Sequence, residues 1–271
     1  MCSLDVLAIT LSQSAALERE TRQQDANKTW HLARAPRLTS SVFKCICSRR
    51  ADFGPLAVRL KATSGKQTKA MRRGVELETE AAQGYIVITG NLVSPVGFVV
   101  NPNAPHLGTS PDRRVKDGTS FGLLEIKCPS KSSCQDCPYL QKQSDGSQRL
   151  KETHAYYYQI IGQLGLTGMP WCDFFVMCEE DYHLQRIHFD VEKWCNIKNN
   201  LDLFFFSFFL PISIYRCCWS SHTVVMCPRW RMRCSFPAGH TWFCKQSVEH
   251  RFSLVTWLHS CFLEVMIIFF Q

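Results

Sequence analysis

The chain has 271 residues, 45% hydrophobic and 20% charged, a composition that supports one large packed domain and excludes a low-complexity chain. Its net charge of +8 sits at the front: residues 1–75 hold fourteen Lys and Arg against five Asp and Glu, so the remainder is close to neutral. That asymmetry points to a polyanionic partner, nucleic acid ahead of an anionic membrane. Fifteen cysteines follow an N-terminus without a charged leader or cleavage site, which reads as reduced thiols in the nucleus or cytoplasm, not a secreted framework. No apolar run reaches the ~18 residues of a membrane-spanning helix. The nearest, residues 203–215, is broken by Pro211.

In chain order, residues 14–34 carry a sparse apolar stripe and predict a polar helix. "PRLTSSVFKCIC" follows, with Thr39 to Ser41 as candidate N-caps of a short second helix. The loop "KATSGKQTK" precedes a third helix over 70–85. "YIVIT" and "VGFVVN" predict short strands around the turn "NLVSP", and "HLGTSPDRRVKDGTS" is rich in turns. "FGLLEIKCPS" predicts a buried strand, residues 130–150 a polar loop, and 151–168 a helix ending near Gly165 or Gly168. "CDFFVMCE" and "LQRIHFD" predict two strands, and "VEKWCNIKNNLDLFFFSFFL" a closing amphipathic helix. The pattern is an α/β domain with a mixed central sheet. Beyond residue 212 periodicity is lost. Cys227, Cys234, His240 and Cys244 could be assembled into a zinc site, but their spacings miss the paired C-x2-4-C knuckle.

Chemistry concentrates in "FGLLEIKCPS". Alternation along a strand puts Glu125 and Lys127 on one face and turns Leu124, Ile126 and Cys128 to the other. A buried acid and base cost desolvation unless something compensates them, and a metal ion would compensate the carboxylate. Asp112, thirteen residues upstream after a turn, suits the neighbouring strand of a hairpin. Two carboxylates from adjacent strands plus a backbone carbonyl make a partial Mg2+ shell with open water positions. A structural Glu–Lys pair is the plain alternative.

"SPD" followed by "GLLEIKCP" resembles the PD-(D/E)XK nuclease signature, and specifically its lambda-exonuclease/YqaJ viral recombinase branch. Four more segments match in order: "TWHLARAPRLTSS", "GVELETEAAQGY", "HAYYYQIIGQLGLTG" and "WCDFFV". The resemblance covers about residues 20–212. It implies a restriction-endonuclease-like mixed sheet flanked by helices, with N-terminal helices, in a nuclease domain at 19–212. Residues 1–18 are then a poorly defined N-terminus. Residues 213–271 are an atypical Cys-rich tail, either disordered or a read-through of non-coding sequence.

The resemblance further implies a Mg2+-dependent (or Mn2+-dependent) exonuclease acting on double-stranded DNA ends, with ring-shaped homo-oligomers among its relatives and no membrane role. Asp112, Glu125 and the Ile126 carbonyl would ligate metal, with Glu78 approaching from its helix. Lys127 would act on the attacking water, and Gln159 would sit near the scissile phosphate. Tyr156, Gln159 and Gln163 share a helix face. Arg34, Thr39, Ser41 and Ser110 match positions lining a pocket for the terminal phosphate of DNA.

Two departures stand out. Arg113 replaces the glycine that usually follows the "SPD" aspartate, and Ile161 replaces a second glutamine. They keep two alternatives open, a weakened protein that holds DNA ends and an endonuclease of the same superfamily. Cys134-x2-Cys137 is similar to a feature of iron–sulfur nucleases, but without their other cysteines in place it reads as plain thiols.

Overall fold

The computed structural model describes residues 7–62 and 69–212. Helices α1 (Leu11–Glu20) and α2 (Lys28–Arg34), the two-residue strand β1 (Leu38–Thr39), and helices α3 (Phe43–Cys47), α4 (Phe53–Ala62) and α5 (Lys69–Thr89) come first. Strands β2 (Leu92–Pro95), β3 (Leu107–Gly108), β4 (Arg113–Asp117) and β5 (Ser120–Lys127) follow, then a small hairpin, β6 (Leu140–Lys142) with β7 (Gln148–Leu150). Helix α6 (Ala155–Thr167), strands β8 (Trp171–Met177) and β9 (Tyr182–His188), and helix α7 (Val191–Phe204) complete the order. The central sheet runs β2-β4-β5-β8-β9. β5 and β8 are parallel and the other neighbours antiparallel. A parallel pair needs a long crossover, and α6 lies within it.

Both faces of the sheet are covered, so β5 reads as a nearly continuous apolar run. Leu124 and Ile126 pack with Ala81, Ala82 and Tyr85 of α5. Leu123 packs on the opposite face with residues of α3, α6 and α7, among them Phe43, Ile160 and Trp194. Each such buried side chain contributes about 1.5–3 kcal/mol.

Helix α6 approaches its neighbours closely because it carries glycines. A Cβ at Gly162 would lie 2.5 Å from the Phe43 ring, and one at Gly165 would lie 2.4 Å from the Trp194 ring. The helix stops at Gly168, whose φ of 72° is the left-handed cap that glycine favours.

Several expectations need correction. The single helix over 14–34 is two helices. The Thr21 hydroxyl donates to the Leu17 carbonyl at 2.6 Å as α1 ends, Gln24 takes a φ of 44°, and Asn27 caps α2 by accepting from the Trp30 amide. "YIVIT" is the end of α5 rather than a strand. Tyr85 is buried and donates to Asp173 at 2.6 Å, and only Gly90, at φ +71°, stops the helix. Tertiary packing there overrides β-branched propensity.

"NLVSP", expected as a turn, contains β2 paired to β4. "VGFVVN" carries only an isolated bridge between Val99 and Thr109, although Phe98, Val99 and Val100 are buried. Helix α4 was not anticipated; Pro55 sits in its first turn, where the missing amide costs nothing. The Thr39 side chain does not cap the turn that follows it.

Helix α1 starts upstream of residue 19 and packs Ala15 into the core. The tail at 213–271, with Cys227, Cys234, His240 and Cys244, lies outside the described residues. Among the described residues no helix is long and apolar enough to cross a membrane.

Candidate active site

The β4–β5 hairpin brings the acidic pair together. Arg113 pairs with Leu124, so Asp112, one position earlier, stands opposite Glu125. Its Oδ2 accepts a hydrogen bond from the Ile126 amide at 2.7 Å. Glu125 is 1% exposed and points to the face covered by α6. Lys127 donates through Nζ to Glu125 Oε1 and, at 2.9 Å, to the Ile126 carbonyl, and lies 4.9 Å from the centre of the Tyr156 ring.

Two glutamines of α6 meet the same carboxylate. Gln159 Nε2 donates to Glu125 Oε1 at 2.7 Å, and Gln163 Nε2 donates to Oε2 at 2.6 Å. Spaced four apart, they lie on one face of the helix, while Ile161 is fully buried in the core. The loss of glutamine at 161 therefore leaves the polar contacts to Glu125 in place. Gln163 shared the predicted face, but nothing in its spacing marked it as a partner of Glu125. Its Oε1 is buried without a hydrogen-bond partner.

Burial, then the charge of Glu125, pushes the Asp112 carboxyl well above the ordinary range, against the pull of Lys127. Burial works to lower Lys127, but Glu125 and Asp112 outweigh it and raise its pKa. This is what buried like charges do when they share too few counter-charges.

Glu78 takes a different partner. Arg113 pairs across the hairpin with Leu124, which packs on α5, and so reaches toward that helix. Its Nη1 donates to Glu78 Oε1 and, at 2.6 Å, to the Asp112 carbonyl. Glu78 acts on Asp112 by charge. However, among the described residues Glu78, Asp112 and Glu125 do not form a trio with ligand atoms within 4.8 Å of one another.

The expected phosphate-pocket residues fall into two connected pairs. On α2, Trp30 and Arg34 are one turn apart, and the guanidinium lies 3.9 Å over the indole. Ser110 Oγ accepts from Trp30 Nε1 at 2.9 Å and from Arg34 Nη1 at 3.5 Å. Burial lowers the Arg34 pKa to about 10, against Asp25. Thr39 and Ser41 share a hydrogen bond at 3.1 Å, and Thr39 pairs with Gly108, two residues before Ser110. Ser40 and Thr109 lock the two segments through a buried hydroxyl contact of 2.7 Å.

The donor set fits a hard divalent cation. Asp112, Glu125 and the Ile126 carbonyl supply oxygens, the preferred ligands of Mg2+. Two carboxylates, Asp112 and Glu125, meet here against the one ammonium of Lys127.

Compared with known proteins, the sequence matches the YqaJ-like viral recombinase domain over residues 29–170. Its fold is similar to that of an alkaline exonuclease, LHK-Exo, from Laribacter hongkongensis: 27% identity, TM-score 0.57, covering 72% of this chain and 98% of that one. The same exonuclease in complex with dAMP matches at 28% identity and TM-score 0.57, with the same coverage. No curated protein matches. A match across more than half the chain, on a mixed sheet with the acid–base pair on its central hairpin, places this chain in the YqaJ-like viral recombinase family.

Proposed function

We propose that the protein is a Mg2+-dependent deoxyribonuclease, an exonuclease that hydrolyses phosphodiester bonds at double-stranded DNA ends in recombination or repair. The observation that carries this reading is the Asp112–Glu125–Lys127 corner braced by Gln159 and Gln163. The alkaline exonuclease of similar fold supports the reaction class.

Asp112, Glu125 and the Ile126 carbonyl would hold the cation. When bound, it supplies Lewis-acid polarisation of the phosphodiester and lowers the pKa of water. Lys127 presents an ammonium beside that position, where it orients the attacking water and offsets charge on the phosphate. Gln159 and Gln163 fix the Glu125 carboxylate by donating to both of its oxygens, so it does not rotate away as charge builds. Arg34, stacked on Trp30 and sharing Ser110 with it, offers a preorganised fork for a terminal phosphate, with Thr39 and Ser41 as further donors.

The discriminating assay is digestion of 5′-phosphorylated linear duplex against closed circular duplex, each with and without Mg2+. Loss of linear DNA alone, and with Mg2+ alone, is the expected result. Cutting of the circle would make the protein an endonuclease of the same superfamily instead.

One observation favours a second reading, a weakened protein that holds DNA ends. Arg113 ties up Glu78 and so removes that carboxylate from metal duty. Under this reading Arg113→Gly, which restores the residue usual in related sequences, raises the digestion rate. An unchanged or lower rate in the variant rejects it.

A further inference from the structure

The loop that leaves β5 after Lys127 folds against the end of β8, and three ligand-bearing side chains meet there. Cys134 Sγ lies 3.4 Å from Cys178 Sγ, and with Asp181 their ligand atoms all fall within 4.8 Å of one another. Cys137, buried, ends the same turn that begins at Cys134.

Two different turns carry them: a 3-10 turn, C-x2-C, in which the Cys137 amide donates back to the Cys134 carbonyl at 3.1 Å, and the β8–β9 hairpin, C-x2-D, in which the Cys178 amide donates forward to the Asp181 carbonyl at 2.9 Å. Backbone bonds from Glu179 to Lys131 and from Glu180 to Ser132 hold the turns face to face. The sequence shows only the first turn, because its partner lies more than forty residues away.

We propose that Cys134, Cys178 and Asp181 form a structural zinc site, completed by Cys137 from the same turn as Cys134 and separate from the oxygen-donor corner at Asp112 and Glu125. Three soft sulfurs and one carboxylate are a ligand set that selects zinc over Mg2+. The distance agrees. Two thiolates at ~2.3 Å on a tetrahedral zinc stand ~3.8 Å apart, a few tenths of an ångström from the gap seen here. A disulfide, at ~2.05 Å, would require the sulfurs to close by more than an ångström.

A second, independent feature points the same way. The Tyr139 hydroxyl, two residues after Cys137, is buried and makes no hydrogen bond of ordinary length and angle. A zinc-bound thiolate at Cys137 supplies the acceptor it lacks, as outer-shell donors do at metal sites. The Asp181 oxygens already accept from the Cys134 amide at 2.8 Å and the Ser133 hydroxyl at 2.7 Å, and each keeps a lone pair for metal. The site would pin the segment following Lys127 to the end of β8.

The test uses the full chain, expressed with zinc and dialysed, with metal read by elemental analysis and by the thiolate-to-cobalt charge-transfer band after Co2+ exchange. The wild type should hold about one equivalent more than Cys134→Ser/Cys178→Ser, the stoichiometry of a single mononuclear site. Cys195→Ser, a thiol elsewhere, should match the wild type. Tyr139→Phe keeps the shape of the core and should weaken zinc binding roughly 10–100-fold. That variant keeps the question answerable should the double variant fail to fold. Equal metal content in wild type and double variant, unchanged affinity in Tyr139→Phe, or a Cys134–Cys178 disulfide in the intact mass each overturns the proposal.

Discussion

Glu125 is held by three donors, Lys127, Gln159 and Gln163, and each contributes differently. Gln163 is fully buried, so replacing it with Leu removes a donor to a charged group without opening a large cavity. That change should destabilise the fold by about 1.5–3 kcal/mol, read as a lower unfolding midpoint in urea. An unchanged midpoint would mean the bond contributes nothing net. Arg34→Lys keeps a charge but loses the planar fork over Trp30. It should weaken use of 5′-phosphorylated ends relative to 5′-hydroxyl ends, measured as a ratio of initial digestion rates; an unaltered ratio would remove Arg34 from phosphate recognition. At this scale period gives positions, and the resemblance to the nuclease family gives the expected roles. Strand alternation and the hairpin distance lead to Glu125, Lys127 and Asp112. The hydrogen bonds of Gln163, and of Arg113 to Glu78, depend on which helix covers which face, and no local pattern carries that.

Among the elements, α6 does the most to place the site, and its glycines set how close it comes. Gly162→Val would drive a branched side chain into the Phe43 ring, at a cost of about 1–3 kcal/mol for overpacking, and would shift Gln159 and Gln163 away from Glu125. Both the melting temperature and the nuclease rate should fall. A variant with a normal melting temperature and normal rate would show that the helix tolerates the displacement.

The end of α7 offers a pH test. Asp202 accepts from His106 at 2.9 Å and from Lys198 at 2.6 Å. Burial works to raise its carboxyl, but His106 and Lys198 overcome this and hold it below the usual range. A depressed folded pKa gives stability that is complete above the unfolded value, about 3.9, and is lost as pH falls through the folded value. Asp202→Asn should therefore be less stable than wild type at neutral pH, with the gap closing in acid. Equal gaps at both pH values would contradict it. Strands β5 and β8 and helix α6 were legible because their apolar spacing agrees with their final burial. The end of α5 was not, because "YIVIT" favours a strand locally and is decided by Tyr85 packing and bonding to Asp173.

At the scale of the whole molecule, charge is divided from chemistry. The basic surplus lies in residues 1–75, ahead of Asp112, Glu125 and Lys127. If those lysines and arginines contact phosphates, affinity for duplex DNA should fall steeply with salt, the slope of log affinity against log salt being about −0.9 per phosphate contact. A slope near zero would remove the basic third from DNA binding. The central claim is that Glu125 and Lys127 form a nuclease centre, not a structural pair inside a sheet. Mg2+-dependent release of nucleotides from linear duplex DNA, measured for the wild type beside Lys127→Ala and Glu125→Gln, tests it most directly. Each variant is expected to fold, bind DNA ends and lose roughly 10²–10⁴-fold in rate. Variants that degrade linear DNA as fast as the wild type would contradict the assignment.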